Sequence, residues 1–398
     1  MLWFKVPPRI YFKRGATDLA LRELKGKKRA FIVTNSFLFN SGAVDKITKI
    51  LKEIDCEYLI FFNAKPDPDL SLIQQAMSML KPFEPDVIIA LGGGSPIDAA
   101  KIMWLMYEQP ETELQDVAVE FMNIKKRISS ILDLGRKATL VAIPTTSGTG
   151  SEVTPFSFYT DDTTGTKYAI ADYALTPDMA IIDPNFVDNM PKGLTAAAGI
   201  DALVHAVEAY VSPMATNFIN SNALEAIKQI FRYLERSYNE GAKDPLAREK
   251  MHYASTIAGM ALANSFLGLC HSMAHKLSIT FDIPHGVANA LLIKQIIKFN
   301  ANDSGEKQTK YAQIANELKL GGNSDKEKVD LLIKAIDNLM NAVDVPKSIK
   351  EKGVNKEDFE TKLDKMIQLV IDDQCTGSTY PLAENLKQIY LNAYEGIV

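Results

Sequence analysis

Hydrophobic and polar positions change their period once along this chain. In the first half, short β-branched runs alternate with amphipathic stretches. "RAFIVTN" (29–35), "EYLIFF" (57–62), "DVIIALGG" (86–93) and "ATLVAIPTT" (138–146) read as strands. Between them, "AVDKITKILKEI" (43–54) and "LSLIQQAMSML" (70–80) have helical spacing, and a further helix runs from Pro96. "VTPFSFYTD" (153–161), "TKYAI" (166–170) and "MAIID" (179–183) add strands. Such alternation is the signature of βαβ units and a parallel sheet, so a Rossmann-like α/β domain is expected. From Leu194 onward the apolar residues recur every 3–4 positions and no strand pattern is left, which predicts an all-helical second domain. The change falls within 187–192 and divides the chain into 1–188 and 189–398. No fixed-period repeat interrupts either part. "FNANDSGEK" (299–307) and "LGGNSDKEK" (320–328) read as loops between helices.

Composition narrows the ligands more than the fold. The 398 residues carry a formal charge of −5 and are 46% hydrophobic, which suits a large core and gives no electrostatic reason for a nucleic-acid or anionic-membrane partner. Small molecules are the expected ligands. The basic runs "KGKKR" (25–29) and "KKR" (125–127) read as solvated surface. Cys56, Cys270 and Cys375 form no CxxC pattern, which points away from a disulfide framework and toward a reducing, cytosolic compartment. The opening "MLWFKVPPRIYF" is too short and too interrupted for a signal peptide, and no uninterrupted apolar run reaches membrane-spanning length.

Two loops in the α/β half have the chemistry to hold a nucleotide. "ALGGGSPIDAAK" (90–101) sets three glycines where a buried strand gives way to a helix. Glycines let the backbone approach a ligand, and the N–H groups of a helix start favour anionic oxygen. The same pattern also serves a tight strand-to-helix turn, and the common GxGxxG after the first strand is absent. "PTTSGTGSE" (144–152) ends a later strand and offers several hydroxyls beside flexible backbone. Ligands of open α/β sheets sit beyond the carboxyl ends of the strands, so a nucleotide spanning both loops is reasonable.

The helical half contains all five histidines. "GIDALVHAVEAY" (199–210) puts Asp201 and His205 four residues apart, on one helix face, and His271 and His275 repeat that spacing. His285 follows in "IPHG". One histidine on an Ala-rich helix is an ordinary core residue, and His252 is read that way. One carboxylate with several imidazoles is a ligand set for a divalent transition metal, with Zn²⁺ and Fe²⁺ both suitable. Cys270 adjoins His271, but neighbours in a helix point in different directions, so it reads as a buried thiol and not a nucleophile. Phe266, Leu267, Leu269 and Phe281 suit either an alkyl-binding wall or ordinary helix core.

At these motifs the chain resembles the iron-containing, or group III, alcohol dehydrogenases. "GGGSPIDAAK", "PTTSGTGSE", "GIDALVHAVEAY" and "FLGLCHSMAHKLSITFDIPHG" carry the resemblance in order, and it covers nearly the whole chain. "AAKIMWLMYEQPE", "FMNIKKRI" and "HGVANALLI" are most similar to the alcohol dehydrogenase half of bifunctional aldehyde–alcohol dehydrogenases. The resemblance implies an α/β dinucleotide domain, a helical domain and an active site in the cleft between them. It implies Asp201, His205, His271 and His285 as metal ligands, with Fe²⁺ expected and Zn²⁺ as alternative, and His275 on the substrate side; the proton of the reaction then comes from solvent or through His275, which changes charge near neutral pH. It implies that Gly93, Gly94, Ser95, Asp98, Thr145, Thr146 and Thr149 meet the dinucleotide, with Lys167 near the nicotinamide ribose.

One position departs from the pattern. Asn35 ends "FIVTN" where close relatives that prefer NAD carry Asp. A carboxylate there repels a 2′-phosphate, and asparagine does not, so NAD(H) use with weakened discrimination against NADP(H) is expected. The implied reaction is reversible reduction of a short-chain aldehyde, such as acetaldehyde or butyraldehyde, to its primary alcohol. A homodimer is expected, within or outside a larger aldehyde–alcohol dehydrogenase assembly. The alternatives are a glycerol or other polyol dehydrogenase, a dehydroquinate-synthase-like enzyme, and a non-catalytic scaffold.

Overall fold

A computed structural model describes residues 4–66, 68–112, 114, 117, 133–162, 166–303, 305–373 and 382–397. The chain divides into two compact units, Met1–Asp188 and Asn189–Val398.

The first unit is a six-stranded parallel sheet with an antiparallel hairpin. Its elements are β1 (Arg9–Phe12), α1 (Ala16–Arg22), β2 (Arg29–Val33), α2 (Ser36–Asn40), α3 (Ala43–Glu53), β3 (Glu57–Phe61), α4 (Leu70–Phe83), β4 (Val87–Gly92), α5 (Gly94–Glu108), β5 (Thr139–Pro144), β6 (Phe156–Asp161), β7 (Thr166–Ala171) and β8 (Met179–Ile182). The sheet runs β1-β8-β5-β4-β2-β3, and β6 pairs with β7 alone. Period-2 alternation sends each strand's side chains into two cores. Phe31, Val33, Ile88, Ala90, Leu140 and Ala142 pack with residues of α4 and α5 on one face. Ala30, Ile32, Ile89, Leu91, Val141 and Ile143 pack with residues of α1 and α3 on the other. Burial on both faces explains why these strands read as continuous apolar runs.

Strand order marks a topological switch point in the sheet. Chain order reverses between β2 and β4: β3 lies outside β2, whereas β5 lies beyond β4. The carboxyl ends flanking that switch point carry Asn35, after β2, and the glycine loop, after β4. β1 does not follow from the sequence pattern, since Pro7, Pro8 and Arg9 interrupt its apolar run; it is an edge strand paired in parallel with β8.

The second unit is helical throughout its described residues: α6 (Lys192–Val211), α7 (Asn217–Glu240), α8 (Pro245–Ser265), α9 (Leu269–Phe281), α10 (His285–Asp303), α11 (Gly305–Glu317), α12 (Asp325–Ala342), α13 (Lys356–Ile371) and α14 (Ala383–Glu395). α6 is long and apolar enough to cross a membrane by length and composition, yet 94% of that stretch is buried inside the protein. It is a core helix, buried on nearly every side because other helices surround it. The expected loop over 299–307 is largely helix, since α10 continues to Asp303 and α11 opens at Gly305. The loop-forming residues satisfy one another there instead: Asn300 Nδ2 donates to Tyr311 Oη at 3.1 Å and Lys307 Nζ to Asn300 Oδ1 at 3.3 Å.

Candidate functional site

In the second unit, three helices converge their polar side chains on one buried point. α6 contributes Asp201, His205 and Glu208, at i, i+4 and i+7 on one face. α9 contributes His271 and His275, one turn apart, and α10 begins at His285 and carries Asn289 one turn on. Two glycines permit the convergence. A Cβ on Gly286 would lie 2.1 Å from Ala197 O, so glycine is what lets the start of α10 touch α6. A Cβ on Gly268 would meet Glu208 Oε1 at 2.5 Å, at the turn that launches α9.

Asp201, His271 and His285 offer ligand atoms that all lie within 4.8 Å of one another. His271 Nε2 is 3.7 Å and His285 Nε2 3.6 Å from Asp201 Oδ1. Ligand atoms each ~2.1 Å from one ion stand about 3–4 Å apart, so these separations fit a shared cation. His205 lies beside the triad, with its ring stacked on that of His271 at 4.6 Å between centroids. His275 is only half-buried and stacks on His285 at 4.8 Å. His252 is 1% exposed on α8 and belongs to no such group among the described residues.

The electrostatics favour a cation. Burial would raise the Asp201 carboxyl, but His205, His285 and His271 around it outweigh burial and hold it well below the usual carboxylate range. Burial would lower His271, yet the carboxylates of Asp201 and Glu208 beside it push it up to about 9. A field that holds a proton on an imidazole buried to 1% exposure attracts a divalent ion for the same reason. Loss of His271's proton and gain of the ion are then one exchange.

Glu208 was not among the residues singled out from sequence, and it organises the site. Its Oε2 lies 2.6 Å from His271 Nδ1, and it accepts from the backbone N–H of Gly268 at 3.0 Å and of Cys270 at 2.7 Å. A carboxylate on Nδ1 fixes the tautomer and presents Nε2 to the metal position. His271 Nε2 is buried and makes no hydrogen bond among the described residues, as the donor atom of a metal ligand should. The signal available in sequence was the i+7 spacing from Asp201, which is shared by any helix face. Cys270 is fully buried and its thiol is pushed well above the usual value, first by burial, so it is a poor nucleophile. Leu269 lies in the helical core and Phe281 packs against it, 6.0 Å from the Phe359 ring.

In the first unit the two small-residue loops lie against each other. A Cβ on Gly93 would come within 3.0 Å of Thr146, and one on Gly94 within 3.0 Å of Thr149. The Thr145 N–H donates to Gly92 O at 2.9 Å. Gly93 caps α5, and Gly94 and Ser95 form its first turn, partly exposed in otherwise buried surroundings. First-turn N–H groups lack intrahelical acceptors and are available to anionic oxygen. Asp98 faces inward: its Oδ2 accepts from Phe158 N at 3.3 Å. Lys101, overlooked in the sequence, is fully buried and donates to Thr154 O and Phe156 O, both at 2.7 Å, which ties β6 to α5. Asn35 caps α2, accepting from Leu38 N at 2.9 Å. The Lys167 side chain lies outside the described residues.

The chain is similar to known proteins along nearly its whole length. Residues 7–184 match the family model "Iron-containing alcohol dehydrogenase", and residues 195–394 match "Fe-containing alcohol dehydrogenase family, C-terminal". The chain is 52% identical to the bifunctional aldehyde-alcohol dehydrogenase of Escherichia coli, over 100% of this chain and 46% of that protein. It therefore spans about half the length of that relative. It is 42% identical to an NADPH-dependent butanol dehydrogenase of Clostridium saccharobutylicum, over 100% of this chain and 99% of that protein. Among solved structures, a 1,3-propanediol oxidoreductase superposes with a TM-score of 0.89 at 32% identity, covering 99% of this chain and 100% of that one. An iron-containing alcohol dehydrogenase from Thermococcus thioreducens does so with a TM-score of 0.88 at 33% identity, covering 100% of both chains. With both halves matched in order and a relative matched over its full length at 42% identity, this chain belongs to the iron-containing alcohol dehydrogenase family.

Proposed function

We propose that this chain reduces short-chain aldehydes to primary alcohols, reversibly, with NAD(P)H and a divalent metal held by Asp201, His205, His271 and His285. Fe²⁺ is the expected ion, and Zn²⁺ suits the same donors. The observation that carries the reading is the Asp201–His271–His285 triad with Glu208 behind His271. The bound metal supplies a Lewis acid for the carbonyl oxygen, and the nicotinamide supplies hydride. The protein's own groups do the rest. Glu208 orients His271, the three helices fix the donor atoms, and the surrounding core excludes water. His275, half-buried and stacked on His285, is placed to pass a proton between solvent and the alcohol oxygen.

The dinucleotide is assigned to Gly93, Gly94, Ser95, Asp98, Thr145, Thr146 and Thr149, with Lys167 at the ribose. The pyrophosphate then meets the first turn of α5. Asn35 brings no charge to the adenosine end, and a 42%-identical relative is named as NADPH-dependent, so both NADH and NADPH are expected to serve. A homodimer, alone or within a larger aldehyde–alcohol dehydrogenase assembly, and a cytosolic setting complete the proposal. Buried, unpaired Cys56 and Cys270 suit a reducing compartment.

The test is anaerobic oxidation of NADH and NADPH by acetaldehyde or butyraldehyde, using chelator-stripped protein before and after Fe²⁺ or Zn²⁺. Turnover restored by metal is expected. Cofactor binding with no turnover under either metal would overturn the reading, and a very strong preference for NADH would overturn the Asn35 argument. His275→Ala should slow turnover while keeping its metal; loss of metal in that variant would make His275 a ligand.

A further inference from the structure

We propose that Asn289 is the positioning residue of the metal site, tying together two ligands that come from different helices. The inference rests on the metal-site reading above. Asn289 is fully buried, one turn after His285 on α10. Its Nδ2 lies 2.8 Å from Asp201 Oδ1 and 3.1 Å from His285 Nε2. Chemistry fixes which end of the amide faces the site. An oxygen 2.8 Å from a carboxylate would set acceptor against acceptor, so the N–H₂ group points inward. Two hydrogens then meet two acceptors, one on α6 and one on α10.

The other end of the amide gives the second observation. Asn289 Oδ1 is buried and has no hydrogen-bond partner among the described residues. An unsatisfied buried carbonyl is costly, and a residue needed only for packing would avoid that cost, since leucine fills a similar volume. Among the described residues, the hydrogen bonds of this side chain run to proposed ligands. Its contact with His285 falls on the nitrogen that a cation would take, so on metal binding that bond is given up while the bond to Asp201 remains. Asn289 thereby holds the carboxylate of α6 in register with α10.

Two variants separate alignment from packing. Asn289→Leu removes both donors at similar volume. Its affinity for Zn²⁺ or Co²⁺, measured against a competing chelator, should fall about 10–100-fold, and the rise in Tm on adding metal should shrink. Asn289→Asp keeps the shape but sets a second carboxylate against Asp201, a repulsion that a bound cation relieves. Its chelated form should melt below wild type, and its metal-induced rise in Tm should exceed that of wild type. A metal-induced rise equal to wild type in both variants would reduce Asn289 to packing and overturn the proposal. If wild type itself takes up neither metal, the metal-site reading fails first. Should the leucine variant not fold, Asn289→Ala removes the same donors without bulk and reads the same affinity.

Discussion

At the scale of single residues, the groups that matter most are those that other residues hold in place. Glu208→Gln keeps the shape but gives up a full carboxylate facing His271 Nδ1 and the two backbone N–H groups that begin α9. Outer-shell partners of this kind are worth about 10–100-fold in metal affinity, so metal content after dialysis should fall by that order. Unchanged content would show that the His271 tautomer needs no carboxylate. Lys101 yields a prediction about pH. Burial lowers its pKa to about 8 from an ordinary value of 10.5, with Asp98 and Glu152 opposing. Between those values the unfolded chain carries a proton that the folded chain lacks, so stability rises with pH across that window. Below pH 8 both states are protonated and the term is constant. Lys101→Met abolishes it. Urea denaturation at several pH values should therefore show wild type gaining on the variant as pH rises from about 8 to about 10.5, and parallel curves would refute it.

Among elements, the close approach of α10 to α6 decides whether His285 reaches Asp201. Gly286→Ala would set a methyl 2.1 Å from Ala197 O, which only a shift of the helix start can relieve. The expected loss is about 1–3 kcal/mol of stability, together with weakened metal binding. Gly193→Ala is the internal control, because it sits in the first turn of α6 with nothing within 4 Å. It should be neutral or stabilising by about 0.5–1 kcal/mol. If the two variants behave alike by chemical denaturation and metal titration, the contact between α6 and α10 is not what places His285. The helices themselves were legible in the sequence, since α6 and α9 are long Ala- and Leu-bearing stretches with i, i+4 polar pairs. Edge strand β1 and the helical 299–307 region were not. A strand of four residues carries too little pattern to outweigh adjacent prolines, and Asn300, one of the residues that suggest a loop, is satisfied by Tyr311 and Lys307 across the corner.

For the molecule as a whole, the Asp201–His271–His285 triad lies within one of the two compact units, so a cation bound there should stabilise that unit selectively. A cation present at about 1,000 times its Kd adds ~4 kcal/mol to the state that binds it. Chelation should accordingly speed amide exchange in α6, α9 and α10 while leaving β2, β4 and β5 nearly unchanged. Exchange mapped by mass spectrometry with and without chelator tests this, and equal acceleration in the sheet would show that both units respond together. The same core that holds the site also shields Cys270, which should alkylate only on unfolding.

Periodicity by itself determined the α/β-then-helical order, the glycine and threonine loops at strand ends, and the presence of a carboxylate and imidazoles at helical spacing. Those features are local: each is written in residues a few positions apart and survives as pattern. Which side chains meet was decided only in three dimensions, because Asp201, Glu208, His271, His285 and Asn289 come from three helices separated by up to 88 positions. Glu208 and Asn289 look in sequence like any polar residue on a helix face. Only the packing of α6, α9 and α10 removes water from them, and a buried polar group must then find its partner in the residues that the fold brings near.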